Sequence, residues 1–255
     1  MILDEIVAAK RAAHARRSPA SLDELVASAR ALARPRDFRG ALRGGGLRVI
    51  AEFKRRSPSA GAIRPGADAA EIARAYAQAG AAALSILTDE QFFDGAREHL
   101  GRAREACALP LLRKDFLLDE RDLAESRLAG ADAALLIVRL LDRARLTELL
   151  AFARALELAV LVEAHTDEEI ERALEAGADV IGVNHRDLDT LAIDLSLSAR
   201  ARKLIGAERI LVAESGIRTR DDLARMREHG ADAVLIGESL MRAPSPGDAL
   251  AELLR

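Results

Sequence analysis

Five apolar runs of this chain end in a charged or amide side chain immediately before a loop. The first is Val49-Ile50-Ala51-Glu52-Phe53-Lys54, and the others finish at Lys114, Glu163, Asn184 and Glu214. Glu52 and Lys54 are two residues apart, so in a β-strand both point to the face that Ile50 occupies. One such pair could simply close the end of a strand as an ion pair. Repetition favours a site. Leu112 shares a face with Lys114 and Phe116, Leu161 with Glu163, Gly182 with Asn184 and Arg186, and Val212 with Glu214, so all can face one opening. Carboxylates and lysines gathered there read as an acid–base set rather than a structural ion-pair network.

Two glycine turns add an anion site. Glu214-Ser215-Gly216-Ile217 and Ile236-Gly237-Glu238-Ser239-Leu240-Met241 follow the last two strand-like runs, where glycine lets backbone N–H groups approach a phosphate. Ser57 can donate a further hydrogen bond, and Glu238 is expected to offer only its N–H. There is no Trp and one Tyr (Tyr76), while Phe53, Phe92, Phe93 and Phe116 stand at or just past strand ends. They can plug the opening or form a slot for a flat apolar group. His14, His99 and His229 fall on helical surfaces, His165 begins a loop, and His185 should point away from Asn184 and Arg186. No spacing suggests a metal set, and no histidine is assigned to catalysis. Cys107, at a helix end, reads as a small buried apolar residue.

The elements that must position these groups alternate. Aliphatic runs near 48–54, 82–87, 110–114, 132–138, 158–163, 179–184, 209–214 and 232–236 are separated by helical patterns, the mark of parallel strands joined by helices. A Gly-Ala motif at Gly80, Gly130, Gly177 and Gly230 closes a helix before a strand and repeats every two units. A closed (β/α)8 TIM barrel accounts for the whole length, and its active site lies at the strand C-termini where the charged residues fall. Asp94, Asp119, Thr166 and Thr219 are expected helix N-caps. Residues 2–17 and 21–33 read as amphipathic helices, the second opened by a Ser21/Glu24 capping box. The chain 1–255 is thus expected to be a single barrel domain, of which 1–47 is an N-terminal helical extension acting as a lid. The connection from Lys54 to about Asp68 is the longest and should be functional.

Composition bounds the partners. At 255 residues with 38 Lys plus Arg against 41 Asp plus Glu, the net charge is −3 and the signs are interspersed. That predicts a small-molecule partner, no nucleic acid and no membrane. The early acids and the lack of a long apolar stretch argue against targeting, so a cytoplasmic location is expected.

On Glu52-Phe53-Lys54-Arg55-Arg56-Ser57-Pro58-Ser59, Leu87-Thr88-Asp89, Leu112-Arg113-Lys114-Asp115-Phe116, Leu161-Val162-Glu163, Gly182-Val183-Asn184-His185-Arg186-Asp187-Leu188 and Glu214-Ser215-Gly216-Ile217, the chain resembles the indole-3-glycerol-phosphate synthases. The likeness runs over essentially the whole chain. His185 and Ala213 depart from that family's commoner small or amide residue and Ser. The resemblance implies a carboxy-lyase of tryptophan biosynthesis acting on 1-(2-carboxyphenylamino)-1-deoxyribulose 5-phosphate, with no cofactor or metal; a monomer or weak dimer is expected. It implies Lys114 as the general acid at the carbonyl and Glu163 as the base in dehydration. Lys54 would bind the carboxylate and is a candidate for the acid that expels hydroxide. Glu52 and Asn184 would orient, Arg186 would lie near the anthranilate end, and Glu214 and Ser215 would close the wall. Another phosphate-sugar barrel, either an isomerase or an aldolase with a Schiff-base Lys114, and a non-catalytic barrel subunit are the competing classes.

Overall fold

All eight aliphatic runs become strands of one closed sheet. The structure, a computed structural model, describes residues 2–17, 20–187, 190 and 192–255, so Met1 and Leu188 of the sequence motifs lie outside them. The strands are β1 (Arg48–Phe53), β2 (Ala83–Leu87), β3 (Leu111–Lys114), β4 (Ala133–Ile137), β5 (Ala159–Ala164), β6 (Val180–Asn184), β7 (Ile210–Glu214) and β8 (Ala233–Ile236). Each pairs in parallel with its sequence neighbours, and β1 also pairs with β8. Ile50 stands opposite Leu235 on one side and Ala83 on the other, which closes a (β/α)8 barrel.

Both faces of the sheet are buried, which is why the strands read as continuous aliphatic runs rather than alternating ones. Inside, Ile50, Leu112, Leu161 and Val212 pack with Ala133, Leu135 and Val180. Outside, Val49, Ala51, Leu111, Val162 and Leu211 meet the helices. Parity therefore sends Glu52, Lys114, Glu163 and Glu214 above the inner layer.

Three helices precede the barrel: α1 (Ile2–His14), α2 (Leu22–Ala31) and α3 (Phe38–Ala41). The outer helices are α4 (Ala69–Gln78), α5 (Glu90–Phe93), α6 (Glu98–Ala106), α7 (Glu120–Leu128), α8 (Arg143–Ala155), α9 (Asp167–Glu175), α10 (Leu197–Ile205), α11 (Arg220–Glu228), α12 (Glu238–Arg242) and α13 (Pro246–Leu254). Ser21, Asp119 and Thr219 each form a capping box, and Thr166 accepts from the Glu169 N–H. The four motif glycines sit just past helix ends at φ of 98, 94, 83 and 80°, where a Cβ is disfavoured. Asp94 is not an N-cap. It ends α5 in the left-handed conformation (φ 52°), which Asp tolerates, and Asp89 caps α5 instead. The long first connection also holds a small antiparallel ladder, Arg56–Ser57 with Gly61–Ala62.

The extension is not one lid. Leu3 and Ile6 of α1 reach the C-terminal mouth, and α2 lies along α7. Phe38, which opens α3, and Leu42, which caps its end, are each 1 % exposed and join the inner core among Ala133, Val180 and Ala233, so this turn plugs the opposite end of the barrel. Polar residues at that end serve the scaffold. Buried Asp132 accepts the Leu111 and Arg36 N–H groups at 2.9 and 2.8 Å. A cavity of about 350 Å³ opens beside α3, rimmed by arginines and by Asp132, Glu157 and Asp179. Among the described residues no helix is long and apolar enough to cross a membrane.

Candidate active site

A cavity of about 410 Å³ occupies the C-terminal mouth, and the acid–base, glycine-turn and serine residues expected from the sequence line it, together with Arg186 and two of the four phenylalanines. Lys114, at the end of β3, donates to Glu163 Oε2 at 2.7 Å and lies 3.6 Å from Glu214 Oε2. Asn184 Nδ2 donates to Glu163 Oε1 at 3.1 Å, and Asn184 Oδ1 accepts the Arg186 N–H at 3.1 Å. Lys54 pairs separately with Glu52 Oε1 at 2.5 Å, and Ser85 Oγ stands 3.4 Å from Glu52 Oε2. There are thus two cation–carboxylate units, one on β1 and one shared by β3, β5 and β7. Two glycines make room for them. A Cβ at Gly182 would collide with Glu214 Oε1, and one at Gly237 with Glu52 Oε1.

Burial and charge push the carboxylates apart. Burial alone would raise the Glu163 pKa, but Lys114 and His165 outweigh it and hold the group well below the carboxylate range. For Glu214 the balance goes the other way: burial, then the Glu163 charge, outweigh Lys114 and push it up to about 8. Near neutral pH Glu163 is therefore ionised while its neighbour Glu214 carries a proton, two carboxyls separated by their environments. Glu214 Oε1 also has no hydrogen-bond partner among the described residues. Burial would lower the Lys114 pKa, yet Glu163, Glu214 and Glu52 raise it, so the side chain is a firm ammonium.

Ser215 and Gly216, after β7, and Gly237, Glu238 and Ser239, after β8, also line the cavity, as does Ser57. Ser215 and Gly216 both have positive φ, 69 and 78°. Positive φ at both makes this a sharp turn, the kind of backbone in which successive N–H groups can form a concavity for an anion. The Glu238 carboxylate engages Arg242 at 3.2 Å, leaving its backbone for a ligand. Phe93 and Phe116 line the cavity as well, with ring centroids 6.0 Å apart at 39°. Phe53 and Phe92 do not. Phe53, one residue out of register with Glu52, points outward and meets His99 edge-on at 5.2 Å.

Several lining residues escaped the sequence reading. Leu3 and Ile6, three apart on α1, and Leu135 and Ile137, two apart on β4, supply apolar wall; only the helical and strand periods hinted at them. Arg218, two residues past Gly216, also lines the cavity. His165 is not a loop residue of no account: its side chain is 1 % exposed, its Nε2 is 3.3 Å from Glu163 Oε1 and its Nδ1 is 3.3 Å from Glu169 Oε2. Burial would lower its pKa, but the two carboxylates push it up to about 9. His99 is buried rather than on a surface, and Cys107 is half-buried. His185 does point away, bonding Ser198 Oγ (2.6 Å) and the carbonyl of Ser215 (3.0 Å). His14, Asp119 and Asp122 converge closely enough for a metal ion, but the Arg17 guanidinium already lies on both carboxylates.

A family model described as Indole-3-glycerol phosphate synthase matches residues 3–253. "Indole-3-glycerol phosphate synthase 2" of Streptomyces coelicolor is 52 % identical over 238 residues, covering 93 % of this chain and 91 % of that protein. The indole-3-glycerol phosphate synthase of Albidiferax ferrireducens is 49 % identical over 259 residues, 99 % of this chain and 97 % of that one. Among solved structures, a 3-hexulose-6-phosphate synthase superimposes with TM-score 0.63 at 16 % identity, over 81 % of this chain and 98 % of that one. Such distant likeness shows the barrel alone.

Proposed function

The chain belongs to the indole-3-glycerol phosphate synthase family, and from that premise we propose how its residues divide the reaction. The activity is conversion of 1-(2-carboxyphenylamino)-1-deoxyribulose 5-phosphate to indole-3-glycerol phosphate in tryptophan biosynthesis, with loss of carbon dioxide and water. In ring closure the aryl carbon bearing the carboxylate attacks the ketone carbon, and negative charge grows on the ketone oxygen. Lys114 is the acid that protonates it. Loss of carbon dioxide restores the aromatic ring. In dehydration Glu163 takes the proton from the carbon next to nitrogen, and Lys54 protonates the departing hydroxyl. Lys54 and Arg186 hold the carboxylate, Glu52 orients Lys54, and Asn184 orients Glu163. The Gly216, Gly237, Glu238 and Ser239 N–H groups, with Ser57, hold the phosphate, while Phe93 and Phe116 receive the ring. Glu214 and Ser215 complete the wall.

The observation that carries this reading is the Lys114 ammonium set between Glu163 and Glu214 inside the cavity, 2.7 and 3.6 Å away. It also weighs against a Schiff-base aldolase, whose lysine must be a neutral amine to attack a carbonyl. Borohydride with substrate should therefore leave Lys114 unmodified. The chain acts as one barrel unit of residues 1–255 with 1–47 as extension, works in the cytoplasm as a monomer or weak dimer, and the chemistry asks for no cofactor. The direct test adds the substrate and follows indole fluorescence, which no Trp of the protein obscures. Absence of product would end the proposal.

A further inference from the structure

Lys10 lies on α1, outside the catalytic set, yet its ammonium is 2.6 Å from Asp115 Oδ1 and 2.9 Å from Asp89 Oδ2. The side chains of Asp115 and Asp89 are 2 and 4 % exposed, and that of Lys10 18 %. Asp115 is bound by Thr88 Oγ1 (2.7 Å) and by Arg113 Nη2 (2.9 Å), and it accepts the Phe116 N–H at 2.8 Å. It sits in sequence between Lys114 and Phe116. Asp89 caps the turn that carries Phe93, accepting the Phe92 N–H at 2.7 Å through Oδ1, which leaves Oδ2 for Lys10. One ammonium therefore joins three segments: α1, which brings Leu3 and Ile6 to the cavity, the loop after β2 with Phe93, and the loop after β3 with Phe116.

We propose that Lys10 is a positioning residue that fastens α1 across the barrel mouth and fixes the apolar slot for the substrate's carboxyphenyl ring. The proposal rests on the reading of Phe93 and Phe116 as that slot. Two features favour it over an incidental ion pair. The two carboxylates belong to the two loops that carry the slot's rings; the Asp89 cap leaves Oδ2 for Lys10, and Asp115 Oδ1 is shared by Lys10 and the Phe116 N–H while Oδ2 takes Thr88 and Arg113. Leu3 and Ile6 are 8 and 3 % exposed, and they lie two turns and one turn before Lys10 on the same helix, so fastening Lys10 seats both. Lys114 does not depend on this latch, because Arg113 and Thr88 hold Asp115 without it.

The test compares the full-length wild type with Lys10→Met, Lys10→Arg and Asp89→Asn, the last keeping a capping side chain while removing the charge. Steady-state kinetics and titrations with fluorescent anthranilate and with inorganic phosphate are the readouts. For Lys10→Met and Asp89→Asn the substrate KM and the anthranilate dissociation constant should rise about tenfold, kcat should stay within about threefold, and phosphate affinity should not change. Lys10→Arg should recover most of the loss. A lower melting temperature with unchanged KM and anthranilate affinity would mean that the contact is only structural and would overturn the latch. So would a fall in kcat at constant KM. A wild type that neither turns over substrate nor binds anthranilate would instead overturn the reading of the site, and the latch with it.

Discussion

Two lysines of equal charge occupy this mouth, and their partners separate them. Lys114 is gripped by Glu163 and Glu214, whereas among the described residues Lys54 pairs with Glu52 alone. A proton donor to a developing oxyanion matters more in the transition state than in the ground state, so its loss lowers kcat with little change in affinity. Lys114→Met should reduce kcat by at least about 10²- to 10⁴-fold, with near-normal binding of an analogue that keeps phosphate and carboxylate. Lys54→Met should weaken that analogue as well as slow turnover, since the carboxylate is already charged before reaction. The reverse pattern would exchange their roles. At this scale the sequence was most legible for residues at strand ends, because a two-residue period assigns a face without further information. It failed for His165 and Phe53. His165 lies past the end of β5, where the period no longer applies, and Phe53 belongs to the outer face that the same parity rule gives it.

Among the elements, the turn after β7 is the most constrained. Gly216 has φ 78°, and a Cβ there would stand 2.7 Å from Ile193 Cγ2, so Gly216→Ala adds both backbone strain and a collision. A non-glycine residue in this conformation costs about 1–2 kcal/mol. The substrate KM should rise about 5- to 30-fold with kcat less affected, and calorimetry with inorganic phosphate should show the same loss. A dephosphorylated substrate should bind far more weakly than its parent; affinities within a few-fold would move the phosphate site elsewhere. The helices before the barrel carry a second prediction. Removing residues 1–31 should raise KM and leave a folded barrel by circular dichroism, because β1 to β8 all follow. Removing 1–47 should instead destabilise the fold, since it takes Phe38 and Leu42 out of the inner core. Loss of a buried Phe alone costs about 3–5 kcal/mol. The sequence showed α1 and α2 but not α3, nor which end each helix covers, because a four-residue helix between Pro35 and the glycines is too short to leave a periodic signal.

The molecule as a whole should lose stability as the solution turns alkaline. His165, pushed up to about 9 from 6.5, and Glu214, pushed up to about 8 from 4.5, both hold protons more tightly folded than unfolded. Their contribution is complete below the unfolded values and is lost as pH rises through the folded ones. Glu163 and Asp115 are held low and act oppositely, losing their contribution only as pH falls through the acid range. The melting temperature should therefore peak near pH 5–6.5 and decline toward pH 9, by about 2–4 °C for each kcal/mol lost. His165→Gln should flatten the upper part of that decline in differential scanning calorimetry; an unchanged slope would show that the imidazole is not held charged. One further property follows from the plug that α3 drives into the lower end of the barrel. With Phe38 and Leu42 stopping that end, the interior is a blind well, and everything that enters must leave by the way it came. Indole-3-glycerol phosphate keeps the phosphate and the aromatic ring of its precursor, so it occupies the same doorway until it departs. Product and substrate should exclude each other completely, and initial-rate inhibition by the product should raise apparent KM while leaving the limiting rate untouched.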